Sequence, residues 1–266
     1  MPTPIRPSSS QTVQRTAAAS QSHAPAKARP APAPLSLERA KVAEWSGRTT
    51  WPKVGGFTVS TTPASRKLEV PLQGGGKGTV DWSDETLSLK NPKTGATVVL
   101  ERAHPREAAG LAELLKGESA DSGMPTAYDS SRSFSPVGSA GQMLSAREVV
   151  SSFTGGAHPN NGTQVRTYDA RTGKQVKLDQ LLTPVQFQKV VAGVKQGLDK
   201  LEDVDSFRPD NLSKAVRENF ALVTDGHGKV HIEVLLPSYV HAMGGLEAQF
   251  RFASPDDAAF RARLGL

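Results

Sequence analysis

The chain has 266 residues, 37% of them apolar and 6% aromatic, enough to bury one large core or two small ones. It contains no cysteine, which excludes disulfides, thiol nucleophiles and cysteine-ligated metals. The formal charge is +6 at pH 7, but residues 1–41 carry six basic side chains (Arg6, Arg15, Lys27, Arg29, Arg39 and Lys41) against the single acid Glu38, which leaves the remainder at +1 and without an electrostatic footprint for nucleic acid.

Residues 1–34 are dominated by Pro, Ala, Ser, Thr and Gln and close on Ala-Arg-Pro-Ala-Pro-Ala-Pro. Such a tract buries too little apolar surface to offset its ordering entropy, so a disordered basic tail or tether is expected up to about residue 45. No apolar run has the length of a signal peptide core or of a membrane span. Residues 36–45 read as a short helix anchored by Val42 and Trp45. From Phe57 the texture becomes period-two: residues 56–60, 67–72, 86–90 and 96–100 read as strands, the last two joined by the turn cluster Asn91-Pro92-Lys93-Thr94-Gly95. Gly74-Gly75-Gly76-Lys77-Gly78-Thr79 lacks the Gly-Lys-Ser/Thr order of a phosphate loop and leads into a strand, so a hairpin loop is expected there. Pro105 opens a helix with Ala108, Leu111, Leu114 and Leu115 at helical spacing, and Gly117 stops it. Residues 118–137 are Ser-, Gly- and Pro-rich and read as a loop.

The second half is more strongly patterned. A strand over Val149–Phe153 leads into Gly155-Gly156-Ala157-His158-Pro159-Asn160. A hairpin then pairs Thr163–Asp169 with Lys174–Leu178. Thr183, Pro184 and Gln186 form the start signal of a helix whose apolar face is Phe187, Val190, Val191, Val194, Leu198 and Leu201. A further helix over Leu212, Val216 and Phe220, strands over 220–224, 229–236 and 246–252, and a terminal helix opened by Ser254-Pro255-Asp256-Asp257 complete the chain. Mixed strands and helices without βαβ alternation make the class α+β, with mixed or antiparallel sheets. The expected division is a tail (1–45), a β-rich region with one helix (46–139) and an α+β domain (140–266).

Gly155-Gly156-Ala157-His158, Tyr168-Asp169, Thr172-Gly173-Lys174 and Leu178 with Leu181 follow one another at the spacing of a known pattern. With Pro237-Ser238-Tyr239-Val240-His241-Ala242-Met243-Gly244 after a strand, residues 140–255 resemble the C-terminal domain of the RsiV family of anti-sigma factors. The same domain follows the catalytic module of a peptidoglycan deacetylase and occurs in bacterial envelope proteins. His241 stands where that family usually has an aromatic residue. The resemblance implies a non-enzymatic module that recognises an envelope component: a peptidoglycan-processing enzyme such as a muramidase, or peptidoglycan itself. It also implies an envelope or extracellular setting, although no signal peptide is visible and a cytoplasmic one stays open. The family's sigma-binding segment and membrane helix have no counterpart here, and a folded part near +1 offers no acidic field to steer a basic lysozyme.

The implied contact residues are Gly155, Gly156, Ala157, His158, Asn160, Ser238, Tyr239 and His241, on two loops of a sheet scaffold. His158 also has a purely structural reading, fixing a tight glycine path by a hydrogen bond. The competing reading is a hydrolase or metal-dependent enzyme using His158, His231, Glu233 and His241, since His231 and Glu233 share a strand face. That spacing matches no metal motif, and no cofactor is expected. A third reading is a structural module on a tether. Asp199, Glu202, Asp203 and Asp205 form an acidic run that reads as a solvated loop or a docking patch for a basic partner.

Overall fold

The computed structural model describes residues 35–44, 50–119, 126–155, 159–202, 204–238 and 246–266; of the expected tail over 1–45, residues 1–34 and 45 lie outside them. In chain order the elements are β1 (Leu37–Glu44), β2 (Thr58–Pro71), β3 (Lys77–Lys90), β4 (Thr97–Glu101), α1 (Arg106–Lys116), β5 (Ala127–Ala140), β6 (Met143–Phe153), β7 (Asn160–Asp169), β8 (Gln175–Val176), α2 (Leu178–Leu181), α3 (Pro184–Leu198), α4 (Leu212–Glu218), β9 (Phe220–Thr224), β10 (Val230–Pro237), β11 (Leu246–Ala253) and α5 (Ala258–Leu264). The class is α+β. One sheet has the order β1-β11-β10-β9; the other runs β2-β3-β5-β6-β7-β8, with β4 also paired to β3. All pairs are antiparallel except β3 with β5.

The four-stranded sheet is covered by helices because its strands and α3 each carry a continuous apolar face. Phe187, Val190, Val194 and Leu198 of α3 meet Phe250 and Phe252 of β11 and Ile232, Val234 and Leu236 of β10 in the largest core cluster. The expected cap of α3 is formed in full. Thr183 Oγ1 accepts from the Gln186 N–H at 3.3 Å, and Gln186 Oε1 accepts from the Thr183 N–H at 2.9 Å. Gly197 lets the helix close on the sheet: a Cβ there would stand 2.7 Å from the Phe250 ring and 3.2 Å from Ala40 Cβ.

That close approach bears on the first correction. Residues 37–44 form a strand, not the expected helix. Ala40 and Val42 pack toward α3, and the strand pairs with β11 over Leu37–Glu44 with a bulge between Leu37 and Arg39. An isolated ten-residue helix gains little, whereas a ladder on the open edge of β11 satisfies backbone groups already beside a core. Residues 127–137, expected as loop, belong to β5. Tyr128, Phe134, Pro136, Gly138 and Ala140 alternate inward and the serines lie between them. A strand placed between β3 and β6 gains its ladder bonds whatever its propensity. β6 likewise begins at Met143 instead of Val149. In α1 the buried positions are Ala108, Ala112 and Leu115, while Leu114 is 63% exposed, so the helix is rotated from the expected face.

The triple glycine Gly74-Gly75-Gly76, all at positive φ, is the turn joining β2 to β3, as expected. The division expected between residues 139 and 140 falls one residue before the end of β5, where Ala140 pairs with Met143 across a tight turn, and the contacts of Pro32–Leu266 group as one unit. The acidic run is partly engaged: Asp199 pairs with Arg208 at 3.0 Å, and Asp203 lies outside the described residues. Among the described residues no helix is long and apolar enough to cross a membrane.

Candidate recognition face

β6 sorts its side chains onto two faces, as any strand must. Leu144, Ala146 and Glu148 point one way; Ser145, Arg147, Val149, Ser151 and Phe153 point the other. On the first face Glu148 belongs to an ion ladder crossing the sheet. Arg132 of β5 donates to Asp84 Oδ1 at 2.6 Å and to Glu148 Oε1 at 3.3 Å, and Arg166 of β7 meets Glu148 at 2.7 Å and Glu101 at 3.0 Å. The Tyr168 hydroxyl donates to Glu101 at 3.1 Å; burial and the neighbouring Glu101 carboxylate both push its pKa up. This ladder closes the gap where β3 leaves β5 to pair with β4.

The second face supports the four-stranded sheet at one end. Edge strand β9 lies on β6 and β7, and two hydroxyls satisfy its backbone. The Leu222 N–H donates to Ser145 Oγ at 2.9 Å, Ser145 donates to Thr167 Oγ1 at 2.9 Å, and Thr167 donates to the Phe220 carbonyl at 2.9 Å. Gly138 permits the contact, since a Cβ there would stand 2.8 Å from the Leu222 oxygen. Beside it Arg147 and Glu247 form a two-pronged ion pair at 2.6 and 2.9 Å, each side chain only 3% exposed.

Beyond Arg147 the same face is open. The strand registers set Ser65, Ser83, Ser131, Ser151 and Asn161 side by side across five strands. The next row holds Lys67, Asp81, Asp129 and Phe153. At about 4.8 Å per strand the first row is ~19 Å long. Ser65, Ser83, Ser131 and Asn161 are exposed and Ser151 is half-buried. Lys67 pairs with Asp81 at 3.2 Å. Asp129 stands next to Asp81, and a shallow cavity of about 270 Å³ lies over Ser65, Asp81, Ser83, Asp129 and Ser131. Sequence reasoning missed this row, because five separated serines and an asparagine become neighbours only through register.

Of the expected contact residues, Gly155, Asn160 and Ser238 are described. Gly155, at φ 97°, follows the end of β6, and Asn160 opens β7 opposite Ser152. Ser238 follows β10, its N–H donating to the Leu246 carbonyl at 3.2 Å, one residue from Glu247. Gly156, Ala157, His158, Tyr239 and His241 lie outside the described residues.

The enzymatic set is described only at His231 and Glu233, which share a strand face. His231 is 5% exposed and lies between two carboxylates, Nδ1 at 3.0 Å from Glu38 and Nε2 at 3.0 Å from Asp225. The His231 contact, helped by the backbone N–H groups of Lys229 and His227, holds the Asp225 carboxyl down to about 2. Glu233 pairs with Arg251 at 3.6 Å. His227, expected as an exposed turn residue, is exposed in the β9–β10 turn. One further acid–histidine group, Asp84, His104 and Glu107, has ligand atoms within 4.8 Å of one another. Its Asp84 carboxylate already receives the Arg132 guanidinium and the His104 N–H, so a cation there would displace a buried charge pair.

The fold and this face define an α+β module with a helix-covered sheet at one end and a bare polar sheet face at the other. No family model and no curated protein matches the chain. Among solved structures it is similar to a DUF3298 family member from Bacteroides fragilis, at 15% identity over 76% of this chain and 92% of that one, with a TM-score of 0.41. It is also similar to a DUF3298 family protein from Pseudomonas aeruginosa, at 16% identity over 66% and 82%, with a TM-score of 0.35.

Proposed function

We propose that this chain is a non-catalytic recognition module for a bacterial cell-envelope component, and that peptidoglycan glycan is favoured over a muramidase. The observation that carries the reading is the open row Ser65–Ser83–Ser131–Ser151–Asn161, which ends in β7 one residue after Asn160 of the first segment that resembles the RsiV family's pattern. Protein-binding hot spots centre on buried aromatic and arginine anchors and are poor in serine. The open rows offer hydroxyls, one amide, two carboxylates, the Lys67 ammonium already paired with Asp81, and a single half-buried ring, Phe153. That inventory suits a polyhydroxylated ligand needing many short polar contacts. One sugar ring spans about the distance between neighbouring strands, ~5 Å, so a glycan laid across the strands meets one row member per ring. The charged groups support a role in holding the scaffold, since those of the ladder, Arg147 with Glu247, and His231 with its two carboxylates are engaged with one another.

Calorimetric titration of the full chain with soluble peptidoglycan fragments and, separately, with a muramidase tests this. Saturable glycan binding that Ser131→Arg weakens at least about tenfold supports it. Binding of the muramidase alone, reduced by His158→Ala and Tyr239→Ala, would move the function to the protein partner. Silence with both ligands would remove the envelope reading.

A further inference from the structure

A second cavity, of about 290 Å³, lies at the opposite end of the four-stranded sheet, between the β9–β10 turn, the end of β11 and α5. It is separate from the open serine face. Its floor is apolar and buried: Val230, Pro255, Phe260 and Leu264. Phe260 and Leu264 are one helical turn apart, so both side chains come from the same side of α5. Its volume sits at the small end of ligand sites, the size class of one amino-acid side chain with its head group.

The rim carries charges of both signs. Arg261, one residue along from Phe260, and Asp256, one residue after Pro255, both line the cavity and both are exposed. Neither makes an ion pair with the other or with any described residue, whereas Lys229, which also lines the cavity, is engaged with Glu38 at 3.3 Å. A purely anionic ligand would meet Asp256, and a purely cationic one would meet Arg261. An apolar floor beneath one unpaired cation and one unpaired anion is complementary to a ligand with both charges and a hydrophobic body.

We propose that this cavity binds a small zwitterion with an apolar side chain, of the class of free apolar α-amino acids. The side chain enters over Phe260 and Leu264, the ligand carboxylate takes the Arg261 guanidinium, and its ammonium takes Asp256. Paired, fork-shaped recognition of a carboxylate is what arginine does best.

Three probes separate the parts of this assignment by NMR titration of the isotopically labelled full chain. Phenylalanine carries both charges, 3-phenylpropionate lacks the ammonium and phenethylamine lacks the carboxylate. Saturable shifts confined to residues 227–230, 253–256 and 260–266 are expected. Phenylalanine should bind at least about tenfold tighter than either analogue, because a site built for a polar group rejects a ligand lacking it. Arg261→Gln should weaken phenylalanine and 3-phenylpropionate while leaving phenethylamine unchanged. Asp256→Asn should weaken phenylalanine and phenethylamine while leaving 3-phenylpropionate unchanged. Both side chains are exposed, so neither change threatens the fold. Equal binding of the three probes, shifts elsewhere on the chain, or no saturation by phenylalanine at millimolar concentration would overturn the proposal.

Discussion

The two sheets of this protein are stabilised by different means. The four-stranded sheet buries one continuous apolar face under α3 and its neighbours, with Phe250, Phe252, Val190 and Val194 in a single cluster. The seven-stranded sheet has only small separate apolar clusters and is closed by charge: Asp84, Arg132, Glu148, Arg166 and Glu101 link five strands. An apolar face packed under helices leaves no broad open surface, since α3 and its neighbours cover it. A sheet held together by polar groups on one side can leave the other side bare, and here the bare side carries the serine row. On the proposed reading the glycan surface thus lies on the sheet held by charge, away from the face buried under α3.

Breaking the junction between them should have the largest effect. Arg147→Met strands the buried Glu247 carboxylate and should cost about 3–5 kcal/mol in denaturant unfolding, while the double change Arg147→Met with Glu247→Leu should return to within ~1 kcal/mol of the parent. A double variant as unstable as the single one would show that shape, not charge, holds the junction. Gly197→Val tests the apolar half: its side chain has no room against the Phe250 ring, and a loss of about 1–3 kcal/mol is expected by the same measurement. Thr183→Ala removes half of the α3 capping box and should cost ~1 kcal/mol. Ser131→Ala, on the open face, should change stability by no more than about 0.5 kcal/mol, so any loss of glycan binding it causes reports recognition alone.

A pH titration probes the His231 cluster. Asp225 falls from 3.8 to about 2 in the folded state, so its contribution is complete above pH 3.8 and is lost as pH falls through about 2. Asp225→Asn lacks this dependence. Its stability should decline less steeply between pH 4 and pH 2, read by circular dichroism in denaturant; an unchanged acid limb would mean that Asp225 is equally easy to protonate in the unfolded chain.

How much of this was legible depends on the range of the signal. The α3 helix was readable because Thr183, Gln186 and a 3.6-period apolar face are local. The β2–β3 turn was readable for the same reason: three consecutive glycines at positive φ announce it. β1 was misread because Ala40 and Val42 fit either period, and only an open edge on β11, two hundred residues away, decided for a strand. β5 was misread because serine looks like loop until strands on both sides supply its ladder. The candidate contact residues Gly155, Asn160 and Ser238 came from a motif, whereas members of the open row such as Ser83 and Ser151 carry no motif at all.

The sequence by itself determined the α+β class, the caps, the turns and the apolar faces, because each of these is written in residues a few positions apart and acts through local backbone geometry. Tertiary structure alone decided which serines share a row, which carboxylate meets Arg147 and which charges border the cavity at α5. Those depend on strand register and sheet packing, where one residue of slip turns every side chain to the other face, and no short-range pattern in the chain records that choice.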